Sequence, residues 1–323
     1  MKFLVTGGAG YIGSHFVKYA QKNNHEIVVL DNFSTGHHEA TNNCKILDID
    51  LTDNIALSKG IKGMEFDCVI HFAAKSIVSE SIDNPLMYMK NNFIGTFNLI
   101  NEMLKNDISN IVFSSTAAVY GNPIEDNISE DHSTMPINPY GQSKLYVEKM
   151  LQDYCEASKI NAVSLRYFNA AGADEDGSIG ESHNPETHLI PNVLGAIKNN
   201  RPFKIFGNDY NTHDGTCIRD YIHVNDLADA HLLSSVYMKK NHGFQSFNLG
   251  NGKGFSVLEV INSCKKISGK DIDYKIHERR SGDPDTLVAN SDKARKELGW
   301  KPKYKDIDQI IRTAWKWHEN QKY

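Results

Sequence analysis

The strongest constraint on this chain is the run Gly7-Gly8-Ala9-Gly10-Tyr11-Ile12-Gly13. It lies between the apolar stretch Lys2-Phe3-Leu4-Val5-Thr6 and a helical pattern that continues to about Asn23, with Ile12, Phe16, Val17 and Ala20 on one side. A short apolar run reads as a buried strand. Strand, glycine loop and helix in that order suit a phosphate group, because glycine lets the backbone approach a pyrophosphate and the helix N-terminus offers free N–H groups and a positive dipole end. The spacing G-x-x-G-x-x-G is a variant of the commoner dinucleotide fingerprint, and a tight turn that binds nothing would use the same letters. The next apolar run, Ile27-Val28-Val29-Leu30, ends in Asp31, 18 residues past Gly13. An acid at that strand end accepts bonds from both adenosine ribose hydroxyls and repels a 2′-phosphate, which favours NAD over NADP.

Apolar runs recur at 45–53, 67–74, 110–116 and 162–169, with helical patterns near 53–61, 84–105 and 139–158. Repeated strand–helix units predict an α/β fold with a Rossmann-type doubly wound parallel sheet, covered by helices on both faces. Ligands of such sheets bind past the carboxyl ends of the strands, where Asp31, Ala73, Thr116 and Asn169 fall. After Asn169 the chain turns small, polar and acidic through Glu181, as a surface loop does. A helix opening at His188-Leu189-Ile190-Pro191, a strand and turn at 202–210, a helix from Val224 to Tyr237 and a polar loop at 278–284 follow. The expected division is an NAD-binding Rossmann domain, 1–169, and a smaller α/β substrate-binding domain, 170–323. Segments near 216–240 and 284–291 are candidates to pack back on the first.

Composition excludes several classes. With 40% hydrophobic and 23% charged residues the chain is ordinary for a globular protein. A net charge of −5 provides no basic face for nucleic acid. No apolar run approaches the ~18 residues of a membrane helix, and Met1-Lys2-Phe3 enters the first strand without a signal-peptide pattern. The 5 cysteines are widely spaced with no CxxC, which predicts reduced thiols in a cytoplasm, not disulfides or a zinc site.

Candidate chemistry lies in Asn138-Pro139-Tyr140-Gly141-Gln142-Ser143-Lys144. Pro139 suits the first turn of a helix, and Tyr140 and Lys144 then stand one turn apart on one face. A cation beside a phenol favours the phenolate. Taken alone, the pair is weak, since Tyr-x-x-x-Lys arises by chance in many helices and reads as an exposed tyrosine and a solvated lysine. Arg219 and Arg280 are candidates for a diphosphate clamp and Phe206 for stacking on a base; surface salt bridges and core packing are the competing readings. His183, His188, His213 and His223 show no metal-ligand spacing, and no metal is expected.

Together, Thr6 to Gly13, Asp31, Asp50-Leu51, Ser114-Ser115-Thr116 and Tyr140-x-x-x-Lys144 resemble the extended group of the short-chain dehydrogenase/reductase superfamily. The resemblance implies bound NAD and a tyrosine, Tyr140, acting on a substrate hydroxyl, with Thr116 and Lys144 completing the catalytic set. Carried over by position, the cofactor contacts are Gly7, Gly10, Tyr11, Ile12, Gly13, Asp31, Asn32, Asp50, Leu51, Phe72, Ala73, Ala74, Asn91, Ser114, Tyr140, Lys144, Tyr167 and Phe168. The string from Asn208 to Val224, with Arg166-Tyr167-Phe168-Asn169 and His71-Phe72-Ala73-Ala74, is similar to the UDP-glucose 4-epimerase family over essentially the whole chain.

That similarity implies a UDP-hexose held by Thr116, Tyr140, Asn169, His188, Leu189, Phe206, Arg219, Arg280, Asp283 and Leu287, inversion at sugar C4 through a 4-keto intermediate, and a homodimer built on the helices near 84–105 and 139–158. Three positions depart from the pattern. Ser76 stands where some members carry a lysine at the nicotinamide ribose, with Lys75 one residue earlier. His188 replaces an asparagine. Leu287 replaces a bulky tyrosine beside the sugar C2 substituent, which raises the expectation that UDP-N-acetylhexosamines are also accepted. A related 4,6-dehydratase places acids directly after the threonine, where this chain has Ala117-Ala118. A non-catalytic nucleotide sensor would have lost the Tyr/Lys pair, which is intact.

Overall fold

The structure, a computed structural model, describes residues 1–41, 43–125, 127–280 and 283–323. Ser281 and Gly282 of the polar loop at 278–284 lie outside the described residues. The strands are β1 (Lys2–Thr6), β2 (Glu26–Asp31), β3 (Lys45–Asp48), β4 (Cys68–His71), β5 (Asn110–Thr116), β6 (Asn127–Ile128), β7 (Asn161–Tyr167), β8 (Asn169–Ala171), β9 (Phe203–Phe206), β10 (Ile218–His223), β11 (Phe244–Leu249), β12 (Gly254–Ser256), β13 (Tyr274–His277) and β14 (Thr286–Ala289). The helices are α1 (Tyr11–Lys22), α2 (Asn54–Ile61), α3 (Val78–Asp83), α4 (Pro85–Tyr88), α5 (Gly95–Lys105), α6 (Pro139–Glu156), α7 (Leu189–Lys198), α8 (Val224–Tyr237), α9 (Val257–Ser268) and α10 (Ile307–Glu319).

Seven strands form one parallel sheet in the order β11-β7-β5-β4-β1-β2-β3. Alternation along β1 sends Phe3 and Val5 into one apolar layer and Leu4 into the other. The first layer includes Phe16 and Val17 of α1 and Leu227 and Ala228 of α8. The second includes Leu57 of α2, Leu99 of α5 and Val147 of α6. Both faces are therefore covered, as continuous apolar strands require. Strand order reverses between β1 and β4, and the crevice over that switch point is the ligand position in sheets of this kind.

The sheet is not confined to residues 1–169. β11 supplies its last strand beside β7, and α8 packs beside α1. The remaining residues build a mixed sheet, β12-β10-β14-β6 with β8 also on β10, and a β9–β13 pair. Their core packs α7, α9 and α10 together through Leu194, Ile261 and Ile310.

The helix expected over 84–105 is three segments. Between α4 and α5 the turn at Met89–Ile94 is π-helical. The wider turn carries Asn92 inward, where its amide spans Lys75 and Ser143. No helix among the described residues is long and apolar enough to cross a membrane.

Candidate active site

The glycine loop joins β1 to α1. Gly7 has φ +70° and a Cβ there would lie 2.5 Å from the Ala73 nitrogen. A Cβ on Gly13 would lie 2.1 Å from the Gly7 oxygen. These two positions need glycine for internal packing. Gly10 does not, since a Cβ there would meet only the Gly7 oxygen, at 3.4 Å. Gly10 is the N-cap of α1, with no side-chain cap and no acid in the first turn, so the amides at this end, Ile12 among them, keep their pull on an anion.

Asp31 ends β2 and is 8% exposed. Its two oxygens accept from the amides of Ala9 and Phe33, both at 2.9 Å, and burial raises its pKa. The carboxylate thus also braces the glycine loop. Asn32 donates to Asp50 at 2.9 Å. Burial would lift the Asp50 carboxyl, but bonds from Thr52 and Asn32 hold it below the usual range. Leu51 is buried beside them and accepts from Asn98 through its carbonyl.

The catalytic candidates meet because α6 is fixed at its first turn. Asn138 caps it by accepting from the Gly141 amide at 2.8 Å, with Pro139 in the first turn. A Cβ on Gly141 would lie 2.5 Å from the Ala118 oxygen, so α6 presses directly on the turn that follows β5. Tyr140 and Thr116 are thereby brought into hydrogen-bonding contact. Burial raises the Tyr140 pKa and that bond lowers it, with a net rise. Lys144 is 4% exposed, donates to the Ser114 carbonyl at 2.7 Å and lies over the Phe113 ring. Burial lowers its pKa to about 7 against the pull of Glu148. This corrects the expectation that Lys144 depresses the Tyr140 phenol: the buried ammonium turns to the carbonyl, and the phenol stands above its ordinary value.

Several implied cofactor contacts have other partners. The Tyr11 phenol donates to the Gly172 carbonyl at 2.6 Å. Phe72 packs against Phe16 and His231 in the core. The Ser114 hydroxyl lies 3.2 Å from His231 and also bonds Tyr167. Ala73 donates its amide to Thr6, while Ala74 is half-buried. The Asn91 amide donates to its neighbour Asn92 at 3.0 Å. Asn92, 2% exposed, holds both backbone groups of Lys75, and Ser76 is exposed. No sequence pattern marked Asn92, because its role depends on the π turn.

On the substrate side Asn169 donates to the Asp220 carbonyl at 2.9 Å. Leu189, the first residue of α7, lines a small cavity with Asn169, Ile190 and Tyr221. Arg280 stacks on Phe206 at 4.3 Å. Arg219 pairs with Asp283 at 2.8 Å, with its side chain largely buried. Arg219 and Leu287 are register partners between β10 and β14, and Leu287 packs on the cluster of Ala117 and Phe168. His188 lines the same cavity as Leu189, with its ring nitrogen turned to two carboxylates. Its Nδ1 lies 2.8 Å from Glu181 and 3.2 Å from Glu186. Burial opposes its charge, yet Glu181 and Glu186 raise its pKa to about 10.

The profile of the NAD dependent epimerase/dehydratase family matches residues 3–250. The chain belongs to that family. The UDP-glucose 4-epimerase of Halalkalibacterium halodurans is 50% identical over 320 residues, 99% of this chain and 96% of that protein. A solved UDP-glucose 4-epimerase superposes with a TM-score of 0.96 at 45% identity, covering 99% of this chain and 98% of that one. The UDP-glucose 4-epimerase of Brucella ovis, solved with NAD, gives 0.94 at 43% identity and covers 97% of each chain. As a family member the chain carries an NAD site, and its residues fit one. The open face at Gly10, the uncapped α1 N-terminus and the acid ending β2 match a pyrophosphate and a ribose diol in order.

Proposed function

We propose that this chain interconverts UDP-glucose and UDP-galactose by transient oxidation at sugar C4. The observation that carries the reading is the contact of Tyr140 with Thr116 at the carboxyl edge of β5, beside an NAD site, with Ala117-Ala118 standing where a dehydratase places its acids. Bound NAD supplies a reversible two-electron acceptor for C4. Tyr140 takes the 4-hydroxyl proton and later returns it, and Thr116 orients the same oxygen. Arg219, Arg280, Asp283, Phe206, Asn169 and Leu189 hold the UDP moiety while the 4-keto hexose turns over between them. Lys144 holds the cofactor side of Tyr140 through the Ser114 strand end. The test is conversion of UDP-galactose to UDP-glucose by the purified protein with no net consumption of NAD; absence of conversion removes the proposal.

Leu287 favours a second substrate class. A half-buried leucine at the register partner of Arg219 leaves more room than tyrosine would, which supports turnover of UDP-N-acetylhexosamines. Wild type should epimerise UDP-N-acetylglucosamine and Leu287→Tyr should lose that activity first; no activity in wild type overturns the idea. The assembly we infer is a homodimer through the apolar face of Phe93, Phe97, Tyr146, Met150 and Tyr154, where Phe97 is 40% and Tyr146 42% exposed. Five free cysteines support a cytoplasmic location. Functionally, residues 1–169 carry the NAD part and 170–323 the UDP-sugar part, with 216–240 and 284–291 serving both.

A further inference from the structure

Within eight residues the chain reads Glu181-x-His183-x-x-Glu186-x-His188. The loop folds so that one ligand atom from each of the four lies within 4.8 Å of the others. His183 Nδ1 is 3.3 Å from Glu181 and 3.6 Å from Glu186, and His188 Nδ1 is 2.8 Å and 3.2 Å from the same two carboxylates. Four donors about 2.0–2.2 Å from a tetrahedral zinc ion stand roughly 3.3–3.6 Å apart, and the four His–Glu distances, from 2.8 to 3.6 Å, lie near that spacing. Glu181 is 5% exposed, yet its Oε1, which points into the cluster, has no hydrogen-bond partner; neither has His183 Nδ1.

We propose that Glu181, His183, Glu186 and His188 form a transition-metal site, with zinc the best-matched ion. Two carboxylates and two neutral imidazoles balance a dication, and imidazole ligands select against magnesium and calcium, which take oxygen. Metal entry displaces the protons the imidazoles otherwise share with the carboxylates. Four protein ligands leave no open position, so the site is structural. It fixes the 172–188 connection just before Leu189 begins α7 at the nucleotide cavity. The rest of the connection is already anchored: Trp317 donates to the Glu181 carbonyl, and His37 bonds the Ser182 carbonyl.

The test uses the NAD-bound protein loaded with zinc chloride and gel-filtered. Elemental analysis should find about one zinc per chain, reduced at least tenfold in His183→Ala and in Glu181→Gln. Chelation with dipicolinate should lower Tm, and zinc but not magnesium should restore it. Should either variant fail to fold, cobalt-loaded wild type decides: the intense visible bands of four-coordinate cobalt support the site. Only the weak spectrum of aqueous cobalt, or equal zinc in wild type and a folded variant, overturns it.

Discussion

Thr116 tunes the phenol of Tyr140, because its hydrogen bond is the contribution that lowers a pKa otherwise raised by burial. Removing that bond leaves the phenolate less favoured. Thr116→Ala should therefore move the acid limb of the kcat/KM pH profile upward, a shift readable by comparing profiles of the two proteins. Lys144 obeys the opposite sign. Its amine is protonated below about pH 7 in the folded chain, against an ordinary value of 10.5. Between those values the unfolded state binds more protons, so stability rises with pH and the full penalty of the buried charge is present below pH 7. In the cofactor-free chain Lys144→Met should gain stability, measured by denaturant unfolding at pH 6, and the gain should shrink by pH 9 while turnover is lost. The Tyr/Lys spacing was legible because a helix fixes it. The direction of the lysine head was not, because it depends on the Ser114 carbonyl brought up by β5.

α6 is held to the sheet by a buried ion pair as well as by its apolar face. Glu148 receives Arg166 at 2.6 Å and Ser164 at 2.7 Å, and Arg166 extends to Tyr120 and through it to Asn248. Breaking one side leaves a buried guanidinium without its anion, which costs about 3–5 kcal/mol. Glu148→Ala should lower the unfolding free energy by that amount, and the double variant Glu148→Met/Arg166→Met should recover most of it in the same urea titration. Their pairing was not legible in the sequence, since they lie 18 positions apart on a helix and a strand. The strands β1, β2, β4, β5 and β7 were readable from apolar runs, and α1 and α6 from their starts. β11 was missed because Phe244-Gln245-Ser246-Phe247-Asn248-Leu249 mixes polar and apolar residues at the sheet edge. The π turn at Met89–Ile94 was missed because its register depends on Asn92 finding Lys75 and Ser143.

For the molecule as a whole, the strand–helix rhythm made the parallel sheet and its ligand edge legible, while the return of β11 and α8 to that sheet is a long-range pairing that no local pattern carries. The histidine spacing alone showed no ligand pattern; the loop fold brings His183 and His188 together with Glu181 and Glu186, which the spacing of histidines does not display. The apolar face at Phe97 belongs to the same whole-chain level. By size exclusion with light scattering, wild type should elute as a dimer and Phe97→Glu as a monomer; a monomeric wild type overturns the assembly. The most direct measurement is turnover of UDP-galactose to UDP-glucose by wild type and by Tyr140→Phe. Loss of a general acid–base group predicts a rate lower by about 10²–10⁴-fold in the variant, with NAD and UDP binding retained. A Tyr140→Phe protein that turns over near the wild-type rate would contradict the mechanism.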